Sequence, residues 1–278
     1  MAIVLAIISA LAYGLSDFIG GILSRRTSAW SVAVVGCSVA AVSTAMVALF
    51  VTGEPTGADF AWASLAGVGS GAGAGFLYRG FAAGRLGVVA PVSAVGAALV
   101  PLVVGVASGE RPSALAWLGI VAALPGIWLV SREPSSEGGD RRTAAGVIDG
   151  LLAGAGFGML FAALGQIPDT AGLWPLALTQ VVSVPAVALM AGLMREPWVP
   201  RHRSVLPAAW CGLLSTVATS TFLLATQRGY LTVSGVLASL YPAFTILLAA
   251  VFLKEHIHRA QGIGLVLCGL AVGLVAAG

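Results

Sequence analysis

The feature that most constrains this chain is an apolar hairpin present twice. Residues 84–130 align without a gap on residues 229–275, pairing Gly84 with Gly229, Leu86 with Leu231, Val88 with Val233 and Ala98 with Ala243. The register continues through Leu102 and Leu247, Glu110 and Glu255, Gly119 and Gly264, and Val121 and Val266. Each copy is an apolar stretch, a short polar turn carrying the Glu, and a second apolar stretch. A unit of that shape lies in a bilayer, and duplication of such units is a common plan for secondary transporters.

Composition removes the soluble alternatives. Of 278 residues, 58% are hydrophobic and 9% charged, too few polar groups to cover a water-exposed surface. The apolar runs are each about 18–24 residues long, the helix length that crosses a hydrocarbon core, and they lack the alternation of strands. The expected fold is an all-α integral membrane protein. Its ten transmembrane helices centre near Leu11, Ser43, Gly71, Ala97, Ala122, Ala155, Val184, Ala218, Ala243 and Val266. The apolar run at Met1 continues through Asp17 and Gly20 without a small-residue cleavage site, so it is expected to be an uncleaved first span.

The most hydrophilic connection lies near the middle of the chain and divides the spans five and five. The expected organisation is a first repeat over 1–131, a linker over 132–144 and a second repeat over 145–278. With an odd number of spans in each half, the second half must enter the membrane from the opposite side, giving inverted repeats. Ala12-Tyr13-Gly14 in the first span matches Gly156-Phe157-Gly158 in the sixth.

Twelve of the fourteen Lys and Arg residues fall in the connections after spans one, three, five, seven and nine, from Arg25 and Arg26 to Lys254 and Arg259. Those connections are expected to face the cytoplasm, which places both termini outside. This orientation signal accounts for the net charge of +3, and no nucleic-acid partner is expected. Trp30, Trp62, Trp117, Trp174, Trp198 and Trp210 lie near span ends, as interfacial anchors do. Cys37, Cys211 and Cys268 lie inside apolar runs, away from any metal or redox spacing, and are read as packing residues.

Asp17 is the one carboxylate well inside an expected span. A charged Asp at mid-bilayer costs about 2.5–3.5 kcal/mol on insertion scales, so it needs a partner or a wet cavity. Two readings follow: Asp17 binds a substrate amine or a proton, or it pairs structurally with Arg25 or Arg26. Tyr13, four residues earlier on the same helix face, could donate a hydrogen bond to the carboxylate or stack on a substrate. Further candidates for a midplane cavity are Tyr78, Ser93, Phe157, Gln180, Thr219 and Ser239. The hydroxyls of the eighth span could equally return to carbonyls of their own helix. Glu110 and Glu255 stand at span ends and are read as structural caps for the amides of the following helix. Gly67, Gly71 and Gly75 give the third span a smooth face, for close contact or for sliding. Pro91, Pro101, Pro125, Pro185 and Pro242 fall inside spans, where each removes a helix bond.

His256-Ile-His258 has the wrong spacing for a metal site on a helix, and no catalytic constellation or P-loop is visible. No metal or cofactor is expected, and the protein is not expected to be an enzyme. A lipid-modifying enzyme embedded in the membrane would need clustered ionisable groups, and Asp17, Arg79 and Asp149 are dispersed in sequence.

The ten spans, the aromatic-Gly pair in spans one and six, and the endings Ser108-Gly-Glu-Arg111 and Leu253-Lys-Glu-His256 together resemble the EamA family of the drug/metabolite transporter superfamily. The resemblance covers essentially the whole chain. It implies a multi-pass carrier of the cytoplasmic membrane that moves a small metabolite such as an amino acid, an amine or a drug-like amphiphile. Export by alternating access with proton coupling or exchange is the expectation, in a monomer or homodimer; uptake of a sugar or other neutral solute through Tyr13, Trp174 and Gln180 is the alternative. Relatives place both termini in the cytoplasm, against the charge count. In small four-span relatives a Glu in span one binds the coupling proton, but the aligned residue here is Tyr13, so that role does not carry over.

Overall fold

Every long apolar run forms a helix. The computed structural model describes residues 1–83, 86–131, 140–252, 254 and 256–278. The helices are α1 (Ala2–Ser24), α2 (Ala29–Ala48), α3 (Gly57–Ala82), α4 (Leu86–Ala107), α5 (Ala114–Ser131), α6 (Asp140–Leu164), α7 (Trp174–Leu193), α8 (Ala209–Thr226), α9 (Leu231–Ala238), α10 (Tyr241–Phe252) and α11 (Arg259–Ala277). Helices α9 and α10 together make the ninth of ten spans long and apolar enough to cross a membrane, and no strand occurs among the described residues. Helix is forced here because hydrocarbon offers no partner for free backbone amides.

The linker expected over 132–144 lies outside the described residues as far as 139. Helix α6 already starts at Asp140, and its apolar part begins only at Ala144. The polar first turn is therefore built onto the span.

The two halves interlock instead of lying side by side. Helix α1 packs on α8 and on the ninth span, while its counterpart α6 packs on α3 and α4; α2 packs on α7, and α5 on α11. The duplication register makes the exchange testable at single residues. A Cβ on Gly119 would lie 2.8 Å from Ala271 O and 3.2 Å from Val275 N, and a Cβ on Gly264 would meet Gly126 O and Val130 N. Advancing Gly119, Gly126 and Val130 by the same step gives Gly264, Ala271 and Val275, so each contact is the other with the halves swapped. Gly67 lies on Thr179 O and Val182 of α7, and Gly212, its counterpart, lies on Gly36 O and Val39 of α2, where the step between partners is 143. Small residues let these backbones touch, which is how helices associate in lipid without a hydrophobic driving force between them.

Helix α3 uses its glycines on several neighbours at once. Gly67 and Gly71 face α7, Gly69 faces α6 at Gly156 O, Gly73 lies under the Phe157 ring and Gly75 under Trp30. The packing takes Trp30 out of the expected interfacial set: it is 2% exposed, edge-on to Phe76 with ring centroids 5.8 Å apart. An indole fits there because Gly75 leaves the room. Trp62, Trp117, Trp174, Trp198 and Trp210 are exposed.

The ninth span breaks between Ala238 and Tyr241, whereas its counterpart α4 is continuous. Pro242 has no N–H to give the Ala238 carbonyl, and the alanine at the aligned position of α4 does.

The Glu110 carboxylate corrects another expectation. It does not cap the following helix, α5, whose first turn is capped by Ser113, with Ala116 N donating to Ser113 Oγ at 3.1 Å. Gly109, at φ +93, turns the chain back, and Glu110 instead accepts from Leu231 N at 2.6 Å and Thr232 N at 2.8 Å, the first amides of α9 in the other half. Glu255 lies outside the described residues.

Candidate functional site

Four of the candidate residues meet at one cavity. Tyr13 and Asp17 of α1, Tyr78 of α3 and Phe157 of α6 line it, with Ser16, Ala33, Gly36, Cys37, Ser70, Ala74, Cys211 and Ser215. Four helices each present a pair four residues apart: Tyr13 and Asp17, Ala33 and Cys37, Ser70 and Ala74, Cys211 and Ser215. Such pairs stack on one helix face, so each helix turns a single stripe inward. The stripes come from both halves.

The cavity runs from the middle of the spans, at Tyr13, Ser70 and Ser215, toward one end of the bundle. Asp17 stands seven residues before the end of α1, about 10 Å along the axis. Tyr78 is four residues from the end of α3, and Cys211 is eight residues inside the start of the eighth span at Arg203. All three of those helix ends adjoin the basic connections. On the opposite side, edge-on and tilted rings link Tyr13 to Phe161 at 5.7 Å, Phe161 to Phe222 at 4.5 Å, and Tyr241 to both Tyr13 and Phe157 at 6.4 Å. Those rings form a continuous buried layer behind the site. The cavity's free volume is about 40 Å³, room for roughly three waters. The cavity must widen before a metabolite fits.

Asp17 is 7% exposed, and among the described residues it makes no hydrogen bond or ion pair. Arg25 and Arg26 are exposed and do not reach it. Its surroundings are the neutral hydroxyls, thiols and rings of the lining. The Tyr13 hydroxyl has no hydrogen-bond partner either, so the expected bond from Tyr13 to Asp17 is not made. Both groups are left free to be satisfied by something that enters.

Tyr78 is held over α1 by an absent side chain. Its ring covers Gly20, where any Cβ would run into the ring, and its hydroxyl lies against Ser16 and Cys211. Ser16 Oγ donates to Cys211 O at 3.4 Å and Cys211 Sγ to Ser16 O at 3.5 Å, tying α1 to α8 at the cavity wall.

The remaining candidates are placed elsewhere. Gln180 Nε2 donates to Thr219 Oγ1 at 3.0 Å, joining α7 to α8, and Thr219 returns to Ser215 O at 2.7 Å. Ser239 donates to Gly235 O at 2.8 Å within its own turn. Ser93 stands 3.3 Å from the Tyr241 hydroxyl, in the aromatic layer. Cys37 and Cys211, read from sequence as packing residues, are part of the lining, as are Ser16, Ser70 and Ser215. No sequence signal marks them, because small residues four apart are ordinary in a membrane span.

Arg79 and Asp149, far apart in sequence, form an ion pair between α3 and α6, with Arg79 Nε 2.9 Å from Asp149 Oδ1. The guanidinium also lies 5.0 Å over the Phe76 ring, and its Nη1 is 2.7 Å from Met194 Sδ. Asp149 is fully buried. The pair crosses from one half to the other, and Asp17 is bonded to neither member.

Comparison with known proteins decides the family. The model of the EamA-like transporter family matches residues 1–132 and again 144–277. The chain belongs to the EamA-like transporter family. As an EamA-like protein it is a multi-pass membrane transporter, in a family of transporters and not of enzymes. One crystal structure superposes with a TM-score of 0.70 over 99% of this chain and 95% of the other, at 18% identity, a likeness that speaks for the EamA-like fold alone. Comparison with curated proteins gave no match.

Proposed function

We propose that this EamA-like protein is a secondary active transporter of the cytoplasmic membrane that exports a small amine-bearing metabolite by alternating access between two inverted halves. Asp17 is its binding carboxylate, for a substrate ammonium or for a proton exchanged against it. Tyr13, Tyr78 and Phe157 supply the apolar and aromatic walls.

The observation that carries this reading is a buried carboxylate with no cation beside it, in a cavity shared by both halves. An unpaired intramembrane Asp is expensive to keep and faces a substrate or ion route in most cases. An ammonium between Asp17 and the ring faces would be held by charge and by cation–π attraction, worth about 2 kcal/mol or more when desolvated. The neutral-solute alternative has less support, because Gln180 is already bonded to Thr219.

Reconstituted protein is assayed by counterflow of labelled amines, amino acids and sugars, after a thermal-stabilisation screen of the same compounds. Stabilisation by amines that disappears in Asp17→Asn supports the proposal. Stabilisation by sugars that Asp17→Asn leaves unchanged contradicts it.

A further inference from the structure

A second cavity, of about 180 Å³, lies where the two halves have diverged. Its lining includes Ile7 and Ala10 of α1, Leu240 at the break of the ninth span, Phe244 of α10, and Cys268 and Gly269 of α11, with no charged side chain anywhere in it. The matching interface of the other half is closed by glycine. There Gly154 of α6 lies on Ser93 O and Gly96 of α4, Gly150 lies on Val92, and Gly158 lies on Val100. In the duplication register the two interfaces close alike at Gly14, which lies on Tyr241 O and Thr245 N as Gly158 lies on Gly96 O and Val100, but one turn earlier Ala10 stands where the other half has Gly154. The gap lies beside that alanine and the break before Pro242, with Ala10 and Leu240 both in its lining.

Its mouth opens to the outside of the bundle, where Leu247 is 41% exposed and Gly269 is also exposed. Gly269 lies in the middle of the last span, and Leu247 lies more than a turn inside the end of the ninth, so the mouth faces the hydrocarbon region. An apolar cavity of about 150 Å³ stays dry and accepts hydrocarbon. We propose that this cavity binds an acyl chain of a membrane phospholipid, inserted between α1, α10 and α11. The chain fills the space left by the diverged interface and supports α10 beside the break. The site is separate from the Asp17 cavity, across α1 and behind Tyr241.

Gly269 and Gly273 make the test, because a Cβ at either meets nothing within 4 Å and only Gly269 lines the cavity. Protein is reconstituted in phosphatidylcholine carrying a photoreactive diazirine at mid-chain, irradiated, digested and mapped. Labelling is expected to concentrate on α1 near Ile7 and on α11 near Cys268, to fall several-fold there in Gly269→Leu, and to persist in Gly273→Leu. Melting temperature of both variants in the same vesicles controls for folding. Even labelling of all lipid-facing helices, or labelling unchanged in Gly269→Leu, overturns the proposal. So does copy-to-copy cross-linking through α11 that excludes the lipid label at every lipid-to-protein ratio, which would make the occupant a second copy of this chain.

Discussion

Asp17 and Tyr13 face one cavity from successive turns of α1, and neither finds a hydrogen-bond partner there. A protein held in lipid has few ways to keep such groups unsatisfied, since burying an unpaired polar group costs several kcal/mol in hydrocarbon. Their persistence in a site built by both halves is the physical basis of the carrier reading.

Replacing the carboxylate should separate function from folding. Asp17→Asn is expected to lower counterflow more than tenfold, the effect of losing one charge-assisted bond of about 1.5–3 kcal/mol. Its melting temperature in detergent should be equal to or above that of the parent, because a neutral amide is cheaper to bury. A variant that unfolds but transports normally when folded would assign Asp17 to structure.

Gly20 should be intolerant for a reason that lies on another helix. Gly20→Val must push the Tyr78 ring away from Ser16 and Cys211, so ligand affinity is expected to fall together with stability, the latter by about 1–3 kcal/mol for overpacking. Gly192→Val, where nothing lies within 4 Å of a Cβ, is the matched control and should leave ligand affinity unchanged. Thermal shift with and without ligand measures both.

The Glu110 cap should report on contact between halves. Glu110→Ala removes two bonds to the first amides of α9 and is expected to destabilise by about 0.5–2 kcal/mol, the usual value of a helix N-cap. Glu110→Gln should recover part of the loss, because one amide oxygen still accepts. Melting temperatures of the three proteins in one detergent give the comparison.

The paired glycines of α5 and α11 offer a symmetric test. Gly119→Val and Gly264→Val should destabilise by similar amounts, since each inserts methyl groups into equivalent backbone contacts. The double variant should show a non-additive cost, because both substitutions force apart the same two helices.

How much of this was legible in the sequence follows from the physics of each residue. Ten helices were visible because length and hydropathy alone decide what spans a bilayer, and the register of the duplication later mapped Gly119 onto Gly264. The sequence alone left a pair of Asp17 with Arg25 or Arg26 as open as a functional role, but the residue stood out because a charge in an apolar run must be paired or solvated. Cys37, Ser70 and Cys211 did not, since small residues in a span are ordinary and only the neighbouring helices reveal which face is lined. The Glu110 partner was misread because a cap was sought one turn ahead, while Gly109 reverses the chain and sends the carboxylate to a helix 121 residues away. Trp30 sits near a helix start, where sequence reads an anchor, and only Gly75, on another helix, makes room to bury it.

The most direct measurement of the account uses Cys37 as the single thiol, with Cys211 and Cys268 replaced by Ser, in right-side-out and inverted vesicles. A membrane-impermeant methanethiosulfonate is applied to each. Alternating access predicts that Cys37 is modified from either face, at rates that bound substrate shifts in opposite directions. Modification from one face only, whatever ligand is present, would contradict it.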